Sequence, residues 1–517
     1  MHCKPLSVLL ALTVLAPSAP AQEKTITVVI QTERGRMEVE LDAARASVTV
    51  ANFLRYVDAG FYNGGRFHRT VTPDNQPDSK VKIEVIQAGV RPDKARDEFP
   101  PIKLERTRDT KLTHKDGTIS MARDGPDTAT GDFFICIGAQ PELDFGGKRN
   151  PDGQGFAAFG RVVKGMDLVR AIQAAPAQGQ ALKPPVKILS VTRVPVYTWQ
   201  RVTAKAPFAP RDGAGALTFQ GRMWLLGGWN PADKKHFPRI CNNEVWSSAD
   251  GKDWRLDKAN SFLDRIFDPT RDWEGRHTAG YVVHRNKMWI VGGDVNQGHY
   301  HFDVWNSGDG KTWRHVNPGK PVPWGPRALH YTLAFKDRIW VIGGQTIPSF
   351  ATGNEVFYRD VWNSEDGITW TKVRPKEPFW PQRGMIGGSA VFKGRIWILG
   401  GGTYDTPKVP ERKYFNDVWS SSDGIKWQRH LDAAPWAPRQ YHDVAVFDDR
   451  LWVLEGYSKG NRNDVWHSAD GIHWHEVPGT PWAPRHAASV FVHVGALWMV
   501  AGNNMESDVW KLTRNRR

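Results

Sequence analysis

A chain of 517 residues is too long for one hydrophobic core and calls for two or more domains. Its formal charge of +14 is spread along the chain with only the tail RNRR clustered, which describes a solubilising surface and assigns no nucleic-acid partner. Three cysteines, one of them at position 3, exclude a disulfide framework.

Residues 1–21 read as an export signal. Lys4 supplies a short positive region, VLLALTVLA an apolar core, and Ala19-Pro20-Ala21 a small-x-small cleavage pattern. About ten apolar residues are too few to span a bilayer, which needs about twenty. Cys3 lies too early to be a lipid-attachment cysteine, so the expected product is an exported chain without a transmembrane segment, periplasmic or secreted. It retains Cys136 and Cys241, both expected as buried small hydrophobes.

Residues 25–42 alternate as two strands around the polar turn ERGR. Ser47 then offers a helix cap, and Val50, Phe53, Leu54 and Val57 follow the helical i, i+3, i+4, i+7 rule up to Gly60. These patterns define an α+β domain and no more.

The next segments carry chemistry. ANFLRYVDAGFYNGGRFHR, VIQAG, GTISMARDGPDTATGDFFICIG and FGRVVKGMDLV, in that order, together resemble the cyclophilin-type peptidyl-prolyl isomerases across residues 25–195. The resemblance implies an eight-stranded β-barrel with helices and rotation about X-Pro amides, a reaction that requires no metal or organic cofactor. It implies Arg69 as the catalytic donor, Phe134 as the floor of a proline pocket and Gln87 as the amide that binds substrate backbone and orients Arg69. Ala122, Leu143 and Phe156 take pocket positions by the same resemblance, and His68 a supporting one. The sequence departs from the better-known members at Glu84, Val85, Asp132, Glu142 and Phe156. Arg69 and Gln87 lie 18 residues apart, which implies an inserted loop between them, TVTPDNQPDSKVKI.

Composition changes sharply after residue 195, since all 24 Trp lie at or after Trp199. The remainder repeats a module of roughly 45–65 residues, in the size range of one propeller blade. Each opens on an arginine: Arg211, Arg276, Arg327, Arg383, Arg439 and Arg485. A strand of the GRMWLLGG type, a DVW strand and an SxDGxxW turn follow. Asp-Gly favours a tight hairpin because glycine tolerates positive φ. Each module thus supplies four strands, and stacking six of them gives a six-bladed β-propeller. Only five complete DGxxW strands follow the six arginines, so YTWQRV at 197–202 is expected to complete the sixth blade and close the ring. The arginine starts and Gly-Gly pairs resemble kelch repeats over residues 197–513.

The six arginines are candidates for an anion-attracting ring at the channel mouth. The competing reading has each stack on a Trp or pair with a carboxylate, and a repeated residue answering a repeated structural need favours it. His277, His330, His442 and His486 follow four of these arginines but lack the close spacing of a strong metal motif, so no metal is assigned.

The expected architecture is mainly β: a signal at 1–21, a cyclophilin-type domain at 22–195 and a six-bladed kelch-like propeller at 196–517. The expected function is isomerisation of X-Pro bonds in exported proteins, with proline-containing polypeptides as clients and a propeller that binds a client, a glycan or another anionic or protein ligand. The alternatives are a non-catalytic proline-peptide binder and a propeller that is itself an enzyme, such as a sugar epimerase.

Overall fold

The structure is a computed structural model that describes residues 25–237, 240–294, 299–346, 356–384, 388–404 and 411–515. Residues 1–21, expected above to be an export signal, lie outside the described residues. Among the described residues no helix is long and apolar enough to cross a membrane. The chain divides into two compact units, Met1–Pro195 and Val196–Arg517.

The first unit is a closed barrel. Its strands are β1 (Ile26–Thr32), β2 (Gly35–Leu41), β3 (Arg66–Val71), β4 (Val85–Gly89), β5 (Thr118–Met121), β6 (Phe133–Cys136), β7 (Ala157–Lys164), the two-residue β8 (Ala177–Gln178) and β9 (Ala181–Arg193). They run in the order β1-β2-β7-β5-β6-β4-β3-β9, and β1 pairs back onto β9, so eight strands close and β8 merely folds over β9. Inward side chains from every second position, among them Val28, Ile30, Phe67, Ile86, Phe133 and Phe159, fill one apolar core.

The helix α1 (Ser47–Asp58) buries Val50, Phe53, Leu54 and Val57, as its periodicity predicts. Its start differs from the sequence reading. Ser47 is the first helical residue and makes no capping bond; instead the Glu105 carboxylate accepts from Val48 N–H (3.1 Å) and from Thr49 N–H (2.8 Å). A carboxylate from a distant loop does the work of a cap and also meets the positive end of the helix dipole. At the other end Gly60 takes φ +70°, the left-handed conformation that ends a helix.

The second unit is a ring of six four-stranded sheets over 215–258, 280–315, 331–373, 389–431, 443–476 and 489–514, the last completed by Tyr197–Thr203. Tyr197–Thr203 pairs antiparallel with Val509–Arg514, the junction expected from the repeat count. In the five complete modules the Asp-Gly turn closes identically: the serine hydroxyl accepts from the glycine N–H at 2.8–2.9 Å, and the final Trp indole donates to that glycine's carbonyl at 3.0–3.2 Å. A Cβ on Gly251 would stand 2.2 Å from the Trp498 ring of the neighbouring blade. Only glycine fits both that contact and its φ of +74°.

All six arginine side chains are wholly buried, each paired with the acidic residue of its own DVW or EVW strand (Glu244, Asp303, Asp360, Asp417, Asp464 and Asp508) at 2.6–2.8 Å. The Trp two residues on donates its indole N–H to the same carboxylate at 2.6–3.0 Å. Each guanidinium also donates to the backbone carbonyl of the first residue of the glycine pair, as Arg276 does to Gly292 at 3.0 Å. The arginine's own carbonyl then accepts from the second glycine N–H of the preceding blade, at 2.9–3.3 Å round the whole ring, ending with Gly502 to Arg211.

A buried ion pair is costly to break because the surviving charge is left without solvent or partner. Burial opposes ionisation of Asp508, yet the Arg485 bond prevails and holds its carboxyl below the ordinary range. Asp508→Ala should therefore cost about 3–5 kcal/mol. Urea unfolding followed by tryptophan emission reads this, and it reports the second unit because every Trp lies at or after Trp199. A folded pKa below the unfolded one gives stability above the carboxylate range that is lost as pH falls through it. The gap between wild type and Asp508→Ala should accordingly close on acidification; equal unfolding midpoints near neutral pH would remove the ion pair from this role.

Candidate active site

A bulge at His68 decides where Arg69 points. In a regular strand Arg69 would share the inward face of Phe67, which is fully buried in the barrel core. The register of β3 slips between Phe67 and Arg69 against both β4 and β9, and the extra residue turns Arg69 outward.

On that outer face four residues fall in one row across adjacent strands. Arg69 lies opposite Gln87 on β4, Gln87 opposite Phe134 on β6, and Phe134 opposite Ser120 on β5. The FF pair divides by strand alternation, Phe133 into the barrel core and Phe134 into a separate apolar cluster with Val71, Val85 and Leu143. Ala122 and Phe156 pack against this second cluster, and the Phe156 ring meets Phe134 edge-on at 5.4 Å. Arg69, Gln87, Phe134, His68, Ala122, Leu143 and Phe156 all line one groove of about 1010 Å³.

Arg69 donates from Nη1 to the Gln87 side-chain oxygen (2.9 Å) and from Nε and Nη2 to that of Gln180 (2.8 and 2.6 Å). Both partners are neutral amides, so its charge is oriented but not cancelled. Burial, then the nearby Arg149, pulls the guanidinium below its ordinary value. Gln87 donates in turn to Asp132 at 3.4 Å, and burial pushes the Asp132 carboxyl above its usual range. His68 stands beside Asp132 (3.9 Å), so it faces that carboxylate and not Arg69.

Three further residues shape the site without having been singled out in the sequence. Gln180 precedes β9 and clamps Arg69. Arg149 donates to the Ser79 hydroxyl (2.8 Å) and the Val81 carbonyl (2.7 Å), anchoring the inserted loop beside the groove. His114 stacks on Phe134 at 6.0 Å and is fixed by Asp144 and Ser120, at 2.7 and 2.9 Å. No local motif marks Gln180; its role follows from the pairing of β3 with β9.

The propeller arginines form no open site. Their burial and ion pairs leave no guanidinium facing a channel, which corrects the anion-ring reading. His330 and His442 are also consumed: each donates Nε2–H to a carbonyl of the preceding blade (Val291, 3.1 Å; Leu399, 2.7 Å), and burial pushes both down to about 3, keeping them neutral. Cys136 and Cys241 are free and buried.

The barrel, the outward arginine and the apolar floor define a proline-binding isomerase site. A family model described as cyclophilin type peptidyl-prolyl cis-trans isomerase/CLD matches residues 27–193. Peptidyl-prolyl cis-trans isomerase A of Dickeya dadantii is 37% identical over 164 residues, 32% of this chain and 78% of that protein. The isomerase cyp18 of Streptomyces antibioticus is 37% identical over 149 residues, 28% of this chain and 82% of that protein. Peptidyl-prolyl cis-trans isomerase B of Escherichia coli is 35% identical over 147 residues, 28% of this chain and 83% of that protein. The chain belongs to the cyclophilin-type peptidyl-prolyl cis-trans isomerases, and its first unit is the isomerase domain.

Because Gln180 holds Arg69 through two donors, Gln180→Ala should lower kcat/KM by about tenfold, a loss of about 1.4 kcal/mol. The loss should fall on kcat, because an arginine free to wander still allows proline to enter its apolar pocket. Steady-state isomerisation of a proline test peptide measures both constants; an unchanged kcat would exclude the positioning role.

Proposed function

We propose that this chain is an exported peptidyl-prolyl isomerase in which Arg69, Gln87 and Phe134 form the catalytic row and the propeller holds a client or ligand. The observation that carries the proposal is the row itself, a charged donor fork beside an apolar floor. The barrier to X-Pro rotation, about 18–20 kcal/mol, comes from amide resonance. At the twisted midpoint the nitrogen lone pair is localised and becomes a hydrogen-bond acceptor. A donor waiting there meets charge that the planar ground states do not present, so it stabilises the transition state selectively.

Phe134, Phe156, Leu143 and Ala122 offer the proline ring an apolar seat, while Gln87 presents an amide to the substrate backbone. Arg69 is partly desolvated and pinned by two amide oxygens, so its remaining N–H groups are oriented before substrate arrives. Export is supported by residues 1–21, whose charge, apolar run and Ala-x-Ala end suit a cleaved signal. Covalent linkage to a binding propeller raises the local concentration of a captured client at the isomerase.

Arg69→Ala should lower kcat/KM by about 100-fold or more, as loss of one preorganised donor does elsewhere. Arg69→Lys should recover little, because a point charge cannot reproduce the fork. Wild-type activity in a folded Arg69→Ala chain would overturn the assignment. Expressed with its native leader in a bacterium that exports proteins, the chain should leave the cytoplasm and begin after Ala21. An uncleaved cytoplasmic product would refute export.

A further inference from the structure

All six blades contribute to a cavity of about 290 Å³ that therefore lies on the axis of the propeller. The buried arginines do not reach it; their immediate neighbours do. Asp212, His277 and His486 stand one residue after an arginine, while Thr278, Leu329 and Tyr441 stand two after. The latter set, together with Gly213 and Ala487, adopts left-handed backbone with φ of +50° to +60°. They hydrogen-bond from blade to blade: Thr278 N–H to Gly213, Leu329 to Thr278, Gly213 to Ala487 and Ala487 to Tyr441, at 2.8–3.1 Å. Left-handed residues other than glycine each cost of order 1–3 kcal/mol, and such strain concentrates at ligand sites. Here it links the axial residues of five blades into one hydrogen-bonded chain.

The lining has two characters. Ala328, Leu329, Tyr441 and Ala487 form an apolar cluster to which Tyr404 and Tyr457 add aromatic faces. Opposite stand hydrogen-bonding groups. The Asp212 carboxylate accepts from Asn503 at 2.9 Å, and burial pushes that carboxyl up to about 6. The Thr278 hydroxyl, in a residue only 7% exposed, has no hydrogen-bond partner among the described residues. Trp229 lies parallel to the His277 ring at 6.0 Å.

This combination excludes most ligand classes. Asp212 and Asp294 disfavour an anion. A permanent cation would share the cavity with Arg412, which already lies 4.1 Å above the Tyr404 ring. An apolar ligand would leave the Thr278 hydroxyl without a partner and Asp212 with Asn503 alone, which is costly in a buried site. An uncharged ring with several hydroxyls meets every requirement: its C–H face packs on tyrosine while its hydroxyls donate to Asp212 and exchange bonds with Thr278 and Asn503. We infer that the axial cavity of the propeller binds a single sugar residue, free or at the end of a glycan. The inference rests on the proposed reading of the propeller as a binding module and names its ligand class.

The test is saturation-transfer NMR on the full chain with methyl hexopyranosides and N-acetylhexosamines, alongside tetramethylammonium and acetate as charged probes. At least one sugar should bind saturably. Asp212→Asn and Tyr457→Ala should each weaken it at least tenfold, with Tyr457→Phe, which keeps the ring, within about threefold of wild type. Sugar affinity unchanged in Asp212→Asn and Tyr457→Ala would overturn the inference, and so would preference for either charged probe, although the binding-module reading would then stand. Failure of every probe to bind would remove both. The readout is binding, so it remains distinct from any failure of the isomerase assignment.

Discussion

The propeller depends on a single residue used twice. Each repeat arginine locks its own blade through its side chain, which ties the DVW carboxylate to the glycine-pair carbonyl. It links to the preceding blade through its backbone, whose carbonyl accepts from the second glycine. Neither bond can move without the other, because the same residue anchors both. This explains why the repeat tolerates wide variation in its loops but presents Arg, an acid, Trp and a Gly-Gly-like turn in every module. A four-stranded sheet cannot cover both its faces alone, so blade-to-blade contacts supply the rest of the stability.

The same constraint shows how far the sequence was legible. Counting arginines against complete DGxxW strands was enough to place YTWQRV in the sixth blade, because a ring with one strand missing would leave an open edge. Tyr197 there lies edge-on to Trp452 at 4.7 Å, near where the other blades set a turn glycine on their neighbour's Trp. The barrel was legible through motif order, and Arg69, Gln87 and Phe134, singled out by the resemblance, fall in one row across β3, β4 and β6. What stayed hidden were features set by three-dimensional pairing: the bulge at His68, the clamp from Gln180 and the capping of α1 by Glu105. Each joins residues far apart in sequence, or an irregularity that periodicity averages away.

The repeat arginines show a different limit. Periodicity located the correct part of each module, where each arginine pairs with a carboxylate as the favoured structural reading has it, but the residues that line the axial cavity lie one or two positions on. The strictly repeated position is consumed by structure, whereas the variable residues beside it face the axis: Asp212, His277, Ala328 and His486 at one position, Thr278, Leu329 and Tyr441 at the next. A repeat scaffold must keep its internal bonds identical, so diversity is confined to side chains that take no part in them, even where the backbone of the same residue bonds from blade to blade. Glu455 illustrates the exception. It replaces the first glycine of the pair, keeps left-handed backbone at φ +48°, and is buried beside Asp443, where burial pushes both carboxyls up.

Arginine therefore has two opposite uses in this protein, and the partner decides which applies. In the propeller a carboxylate, buried in two blades and half-buried in four, neutralises each buried guanidinium, and the pair becomes a net-neutral structural joint closed off from any ligand. In the barrel the partners are the amide oxygens of Gln87 and Gln180, which fix direction while leaving the charge intact. A carboxylate in place of Gln180 would hold Arg69 more tightly but, on the proposed mechanism, would already occupy the electrostatic role reserved for the twisted amide nitrogen. Partial burial without neutralisation is unfavourable to the resting enzyme, as the lowered value of Arg69 records. On the proposed mechanism, that cost to the free protein is what makes a new acceptor, appearing only as the X-Pro bond twists, worth binding.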